Sequence, residues 1–262
     1  MSEVRISYDP PKGYPLGTNL AFKFWTKVLI PLLNLVMAHE WRGQENIPKS
    51  GPIIVVSNHL SYLDVLGLTH FLWRSGRAPR YLGKEGVFKV PVVGRVLIAA
   101  GQVPVKRETK DARYALHHAI ELLKAGHCIG GYPEGTLTRD PDGWPMVAKT
   151  GFARLAIITK TPIVPIAQWG IQEVMPTYEI KLRIFPRKKT RLVAGKPLDF
   201  SRWYGKEEDP EALVEATAFM MDALTTMVEE LRGQKRPAVT FDPKKSDLPR
   251  TGNFKKKRKN EK

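Results

Sequence analysis

Short apolar runs rich in β-branched residues alternate with stretches of helical periodicity along most of this chain. The strand-like runs fall at 52–57, 80–83, 102–105, 127–131 and 162–167, and the helical patterns at 64–74, 111–125 and 150–160. Such alternation predicts an α/β fold, a layered sheet with helices on both faces. Two further strand-like runs, at about 179–185 and 190–194, stand close enough for a hairpin at the sheet edge, so the predicted sheet is mixed. A helix from about Pro210 to Leu231 follows, with proline near its first turn and Ala212, Leu213, Ala216, Phe219 and Met220 in amphipathic order. No internal repeat is visible.

Ahead of this alternation, Asn19 to Ala38 is apolar except for Lys23, Thr26, Lys27 and Asn34, which follow roughly helical spacing and mark a narrow wet stripe. The uncharged run from Val28 to Ala38 is too short to cross a bilayer, which needs about 20 apolar residues, and Pro31 predicts a kink or the start of a second helix. Two readings stand: a helix packed on the core, or one embedded in a membrane interface. Phe22, Phe24, Trp25 and two lysines favour the second.

The polar residues that end two of the strands carry the chemistry. After Pro52-Ile53-Ile54-Val55-Val56 comes Ser57-Asn58-His59-Leu60-Ser61-Tyr62-Leu63-Asp64, and Asp64 opens the helical pattern of Val65, Leu66, Leu68, Phe71 and Leu72. A histidine and a carboxylate five residues apart can meet across one turn. The carboxylate then fixes the imidazole tautomer and leaves the other nitrogen as a base for a hydroxyl proton. Alone, such a pair is more often a helix cap beside a satisfied polar residue. A second polar turn, Gly130-Gly131-Tyr132-Pro133-Glu134-Gly135-Thr136-Leu137-Thr138-Arg139, follows the strand-like Cys128-Ile129. Strand ends are where α/β proteins usually place their sites.

Together these motifs resemble those of the glycerophosphate and lysophosphatidate acyltransferase family: Asn-His-x-Ser-x-x-Asp, then Phe-Pro-Glu-Gly-Thr. Its intermediate motif is similar to Gly101-Gln102-Val103-Pro104-Val105-Lys106-Arg107, and its fourth to Thr161-Pro162-Ile163-Val164-Pro165-Ile166. The resemblance spans roughly residues 40 to 200 and implies the layered fold of a glycerol-3-phosphate acyltransferase. It implies His59 as general base and Asp64 as the residue that orients it. Arg107, Glu134, Gly135 and Thr136 are implied as the acyl-acceptor site, with Arg107 on the phosphate, a task suited to a planar guanidinium. Glu134 cannot bind phosphate itself, so it either holds an Arg or Lys in place or accepts a substrate hydroxyl. Gly135 and Thr136 offer donors in a tight turn. The family commonly has Arg directly after Gly-Thr, where this chain has Leu137 and places Arg139 two positions later. Either Arg139 substitutes, or the acceptor head group differs. Tyr132 replaces the usual Phe and adds a hydroxyl. Lys84 and Lys149 occupy places where the family often carries Lys, and the resemblance implies them as secondary anion ligands.

The implied reaction is direct acyl transfer from acyl-CoA or acyl carrier protein to lysophosphatidate, without an enzyme nucleophile or a cofactor. Another lysolipid, a glycolipid or an aminolipid remains an alternative acceptor. Cys128, the only thiol, sits in an apolar stretch and is expected to be inert. One cysteine excludes an intramolecular disulfide, and no secretory signal pattern is seen at the N-terminus, so a cytoplasmic chain is expected. The six histidines show no metal-ligand spacing, and His117 and His118 are adjacent.

Charge completes the picture. Net charge is +16, and from Arg232 to Lys262 stand 12 Lys and Arg against 3 Asp and Glu, so this stretch carries +9. With three prolines and few large apolar residues it is expected to be disordered, at least beyond Phe241. Beside an anionic membrane surface each nearby cation is worth about 1 kcal/mol. A basic tail can also bind nucleic acid nonspecifically, but no nucleic-acid motif precedes it and the aromatics are scattered. The expected organisation is an N-terminal segment with a membrane-interface helix over 1–40, a catalytic domain over 41–232 and a basic tail over 233–262. The expected location is the cytoplasmic face of the cell membrane, peripheral or monotopic.

Overall fold

The computed structural model describes residues 6–105, 111–248 and 253. Strands β1 (Met37–Arg42), β2 (Ile53–Ser57), β3 (Pro79–Lys84), β4 (Val103–Val105), β5 (Cys128–Gly131), β6 (Ile163–Trp169) and β7 (Lys188–Ala194) form one sheet in the order β1-β7-β6-β2-β5-β3-β4. Every neighbouring pair is parallel except β6 and β7. The helices are α1 (Leu20–Val36), α2 (Asp64–Arg74), α3 (Glu85–Phe88), α4 (Val93–Ala99), α5 (Asp111–Lys124), α6 (Gly151–Thr159), α7 (Ile171–Val174) and α8 (Pro210–Arg232).

The central strand β2 is buried along its whole length, as a parallel strand covered on both faces must be. Its pleat sorts the core into two layers. Ile54 and Val56 pack with Leu122 and Leu123 of α5, Ala153 and Ala156 of α6 and Met220 of α8. Ile53 and Val55 face the other way, toward Leu68, Phe71 and Leu72 of α2 and Leu33 of α1. At the end of β5, a Cβ on Gly131 would lie 2.3 Å from Cζ of Phe152, so a residue without a side chain lets α6 close on the sheet. Helix α8 begins as its sequence dictates: Asp209 caps it by accepting from the amides of Glu211 and Ala212, and Pro210 follows.

Two expectations are corrected. The run 179–185 is not a strand, so there is no hairpin: its alternating apolar residues have no core face beneath them, and residues 180–187 are all exposed. Strand β7 instead lies between β6 and β1, and β1, unassigned in the sequence, forms that sheet edge. Of the two alternatives at Pro31, the second helix does not form: the proline lies inside the single helix α1. The capping side chain of Asn19 starts α1 and also donates to the carbonyl of Ala99, the last residue of α4, at 2.7 Å. One face of α1 buries Phe22, Thr26 and Leu33, while Leu20, Phe24, Leu32 and Leu35 stay exposed. No helix of the described residues is long and apolar enough to cross a membrane.

Candidate active site

Strands β2, β5 and β6 lie side by side and parallel, so the turns that leave them converge at one edge of the sheet. Asn58, just past β2, extends the ladder with its side chain: Nδ2 donates to the carbonyl of Gln168 and Oδ1 accepts from the Gln168 amide, both at 2.9 Å. The Gln168 side chain returns a bond of 2.6 Å to the carbonyl of Asn58. Both residues are buried, and His59 therefore leaves the sheet from a fixed point.

The next residues fold around one carboxylate. Asp64, fully buried at the N-terminus of α2, accepts at Oδ2 from Nδ1 of His59 at 2.9 Å and from the amides of Leu60 at 2.5 Å and Ser61 at 2.8 Å. A carboxylate is favoured at a helix N-terminus, and here it also fixes the imidazole: with Nδ1 donating, Nε2 presents its lone pair. The His59 side chain keeps 16% of its surface, which leaves the ring reachable. Its opposite support is Tyr132, whose ring stacks on it with centroids 3.9 Å apart and planes 11° apart. Ser61 ties the turn outward by donating to the carbonyl of Met175 at 2.7 Å.

Glu134 joins the two polar turns. Its Oε1 accepts from the His59 amide at 3.3 Å and its Oε2 from the Met146 amide at 3.0 Å, while the Thr138 amide donates to the His59 carbonyl at 2.7 Å. Both carboxylate oxygens thus go to backbone amides. Burial pushes the Glu134 carboxyl from 4.5 up to about 8; the two amides oppose this, and Asp64 and Asp140 add to it. A carboxyl raised on folding stabilises the fold fully below its unfolded pKa, and that contribution is lost as pH rises through the folded one. Against Glu134→Gln, which lacks this proton uptake, the native stability advantage is therefore expected to shrink between about pH 5 and about pH 9. Denaturant midpoints at both ends of that range test this, and a difference that ignores pH would sink the assignment.

Gly135 turns the chain with φ of 73° and donates to the Tyr132 carbonyl at 2.9 Å. Lys149 lies across it: a Cβ on Gly135 would come 3.2 Å from Lys149 Cε. Thr136, next in the turn, is partly exposed. Leu137 is buried, its carbonyl accepting from the Tyr178 hydroxyl at 2.7 Å. Arg139 is buried too, its guanidinium 5.9 Å from the centre of the Tyr178 ring.

The structure thus gathers His59, Asp64, Glu134, Gly135, Thr136 and Lys149 on facing turns, with Arg139 beneath Tyr178 in the same loop. Lys84 ends β3, where its backbone alone is described, and Arg107 lies outside the described residues, two positions after the end of β4. The sequence did not point to Gln168, a strand residue 110 positions from Asn58 with no motif around it. Tyr132 was legible only as a substitution in a motif; its ring proves to be the platform under His59.

Fold and site together define an α/β protein that holds a carboxylate-oriented histidine at the carboxyl ends of its parallel strands. The chain belongs to the acyltransferase family, whose model matches residues 39–169. It is 33% identical over 170 residues, 64% of this chain and 46% of the relative, to the chloroplastic 1-acyl-sn-glycerol-3-phosphate acyltransferase BAT2 of Brassica napus. With the 1-acyl-sn-glycerol-3-phosphate acyltransferase of Bacillus subtilis it shares 27% identity over 81% of this chain and 98% of that protein. The chain spans about half the length of the first curated relatives it matches. Among solved structures it is similar to the 1-acyl-sn-glycerophosphate (LPA) acyltransferase PlsC of Thermotoga maritima, at a TM-score of 0.58 and 27% identity, covering 83% of this chain and 80% of that one.

Proposed function

We propose that this protein moves a fatty acyl group from a thioester, acyl-CoA or acyl carrier protein, to the free hydroxyl of lysophosphatidate, giving phosphatidate. The observation that carries the reading is the His59 imidazole, held at Nδ1 by buried Asp64 and stacked on Tyr132 at the strand ends. The activities named for the relatives from Brassica napus and Bacillus subtilis support the acceptor.

In the proposed reaction the lysophosphatidate oxygen attacks the thioester carbon while Nε2 of His59 takes its proton. The carbon–sulfur bond then breaks, and the imidazolium returns the proton to the departing thiolate. Asp64 stabilises the imidazolium formed in between. Arg107 and Lys84 are assigned to the acceptor phosphate, with Lys149 at the rim of the Gly135 turn and Thr136 beside it. Glu134 acts by holding the His59 turn against the Met146 loop, and Arg139 acts from under Tyr178. A second acceptor stays open because buried Leu137 fills the position where the family commonly has Arg.

The proposal includes residues 1–40 and the basic 233–262 segment as contacts with an anionic membrane on its cytoplasmic face, flanking the catalytic 41–232. The exposed apolar face of α1 supports the first of these. The test is an assay of thiol release and lipid product from palmitoyl-CoA with lysophosphatidate, monoacylglycerol and glycerol 3-phosphate in parallel. Turnover is expected with lysophosphatidate and to be far slower with monoacylglycerol, which lacks the phosphate. Equal rates for those two would refute the phosphate site, and no release with either CoA or carrier-protein donors would refute acyl transfer.

A further inference from the structure

The segment between α7 and β7 leaves the protein in a manner the fold itself does not explain. Arg183 closes the loop on its own base by donating its amide to the Val174 carbonyl at 2.7 Å, and the residues around that point face solvent. Ile180 is 84% exposed, Leu182 52%, Ile184 53% and Phe185 90%. Ile180, Leu182 and Ile184 alternate with Lys181 and Arg183, and Arg187, Lys188 and Lys189 follow after Phe185-Pro186. Apolar residues spaced to fill a core face, with no core under them, need an apolar phase outside the molecule, since soluble surfaces rarely leave such patches open.

Both ends of this finger are tied to parts already described. At its start, the carbonyl of Met175 accepts from Ser61 in the turn that carries His59 and Asp64. At its end, Arg187 donates to the carbonyl of Met37, immediately after α1, at 2.8 Å, and Met37 is in register with Lys188. The finger therefore links the site to the end of α1, where Leu32 and Leu35 are exposed.

We infer that residues 180–187 insert into the interface of an anionic phospholipid bilayer and, with the open face of α1, set the direction from which His59 meets the membrane. This deepens the lipid-substrate reading above and rests on it. Charge selects the occupant. A symmetric contact between two copies would bring the same basic residues face to face, a repulsion that only Glu179, paired with Arg183 at 3.9 Å, offsets within the finger. An anionic bilayer takes both components at once: aliphatic and aromatic side chains below the headgroups, and lysines and arginines among the phosphates.

A label placed on the finger provides the test. Cys128 is buried and its thiol is pushed up to about 12 by burial, so a thiol introduced by Phe185→Cys takes an environment-sensitive fluorophore selectively. In the full-length protein, its emission is expected to shift to the blue on adding vesicles of phosphatidylcholine with phosphatidylglycerol, and to be quenched by acyl-chain quenchers. Emission that ignores vesicles would overturn the inference, as would a shift that follows protein concentration in their absence, which would mark self-association. The combined variant Ile180→Ser, Leu182→Ser, Ile184→Ser, Phe185→Ser is expected to bind these vesicles at least about tenfold more weakly, while its turnover on dispersed short-chain acceptor stays native. Unchanged binding contradicts the inference. If native protein shows no turnover on any acceptor, the acyl-transfer reading fails, and the label still decides the finger.

Discussion

Replacing His59 by alanine is expected to lower acyl-transfer turnover by about 100- to 10,000-fold, the usual worth of a positioned general base, and to leave the fold intact. The side chain is at the surface of the site rather than in the core: it touches the Tyr132 ring on one face and Asp64 at Nδ1. The contacts that hold the turn run through the His59 backbone, to Glu134 and Thr138, and survive truncation of the ring. Turnover and thermal midpoint measured on the same preparation separate chemistry from stability. A variant that keeps turnover within about threefold of the native rate, less than 1 kcal/mol of barrier, would remove His59 from the mechanism.

Asp64→Asn is expected to have an effect of comparable size, about 100- to 10,000-fold in turnover, for a different reason. The asparagine oxygen can still accept from the amides of Leu60 and Ser61, which Oδ2 of Asp64 holds at 2.5 and 2.8 Å, so the turn keeps its shape. What goes, in the proposed mechanism, is the charge that stabilises the imidazolium once His59 has taken the substrate proton. The loss should appear in turnover far more than in acceptor affinity, because the imidazolium forms only as the reaction proceeds. Asp64→Ala is less informative, since it also leaves two buried amides without an acceptor, at about 1–3 kcal/mol each. A native rate in Asp64→Asn would show that Asp64 only caps its turn.

How much of this was legible in the sequence depended on whether the signal was local. The His59–Asp64 pair lies within one turn, and the strand β2 ahead of it and the helix α2 after it each announce themselves by their own periodicity. Glu134 was legible as a site residue but not in its placement: its oxygens go to the amides of His59 and Met146, partners 75 and 12 positions away. The run 179–185 misled for the converse reason. Period-two alternation reports that one face seeks an apolar surface, and does not say whether that surface belongs to the same molecule. Strand β1 escaped notice because its residues, Met37 to Arg42, are mixed in character and owe their conformation to pairing with β7.

The order of strands across the sheet also bears on how the protein is made. β2, which delivers His59, is flanked by β5 and β6, whose segments are synthesised long after it. A nascent chain that has emerged only as far as α2 holds the histidine and its aspartate but lacks Tyr132, Glu134 and Gln168. Pairings between such distant segments are slow to form, since loop closure precedes any reward from contact. Assembly of the site is therefore a late event on the folding pathway, and a partly synthesised chain, however well its first helices dock, has a histidine without the frame that aims it.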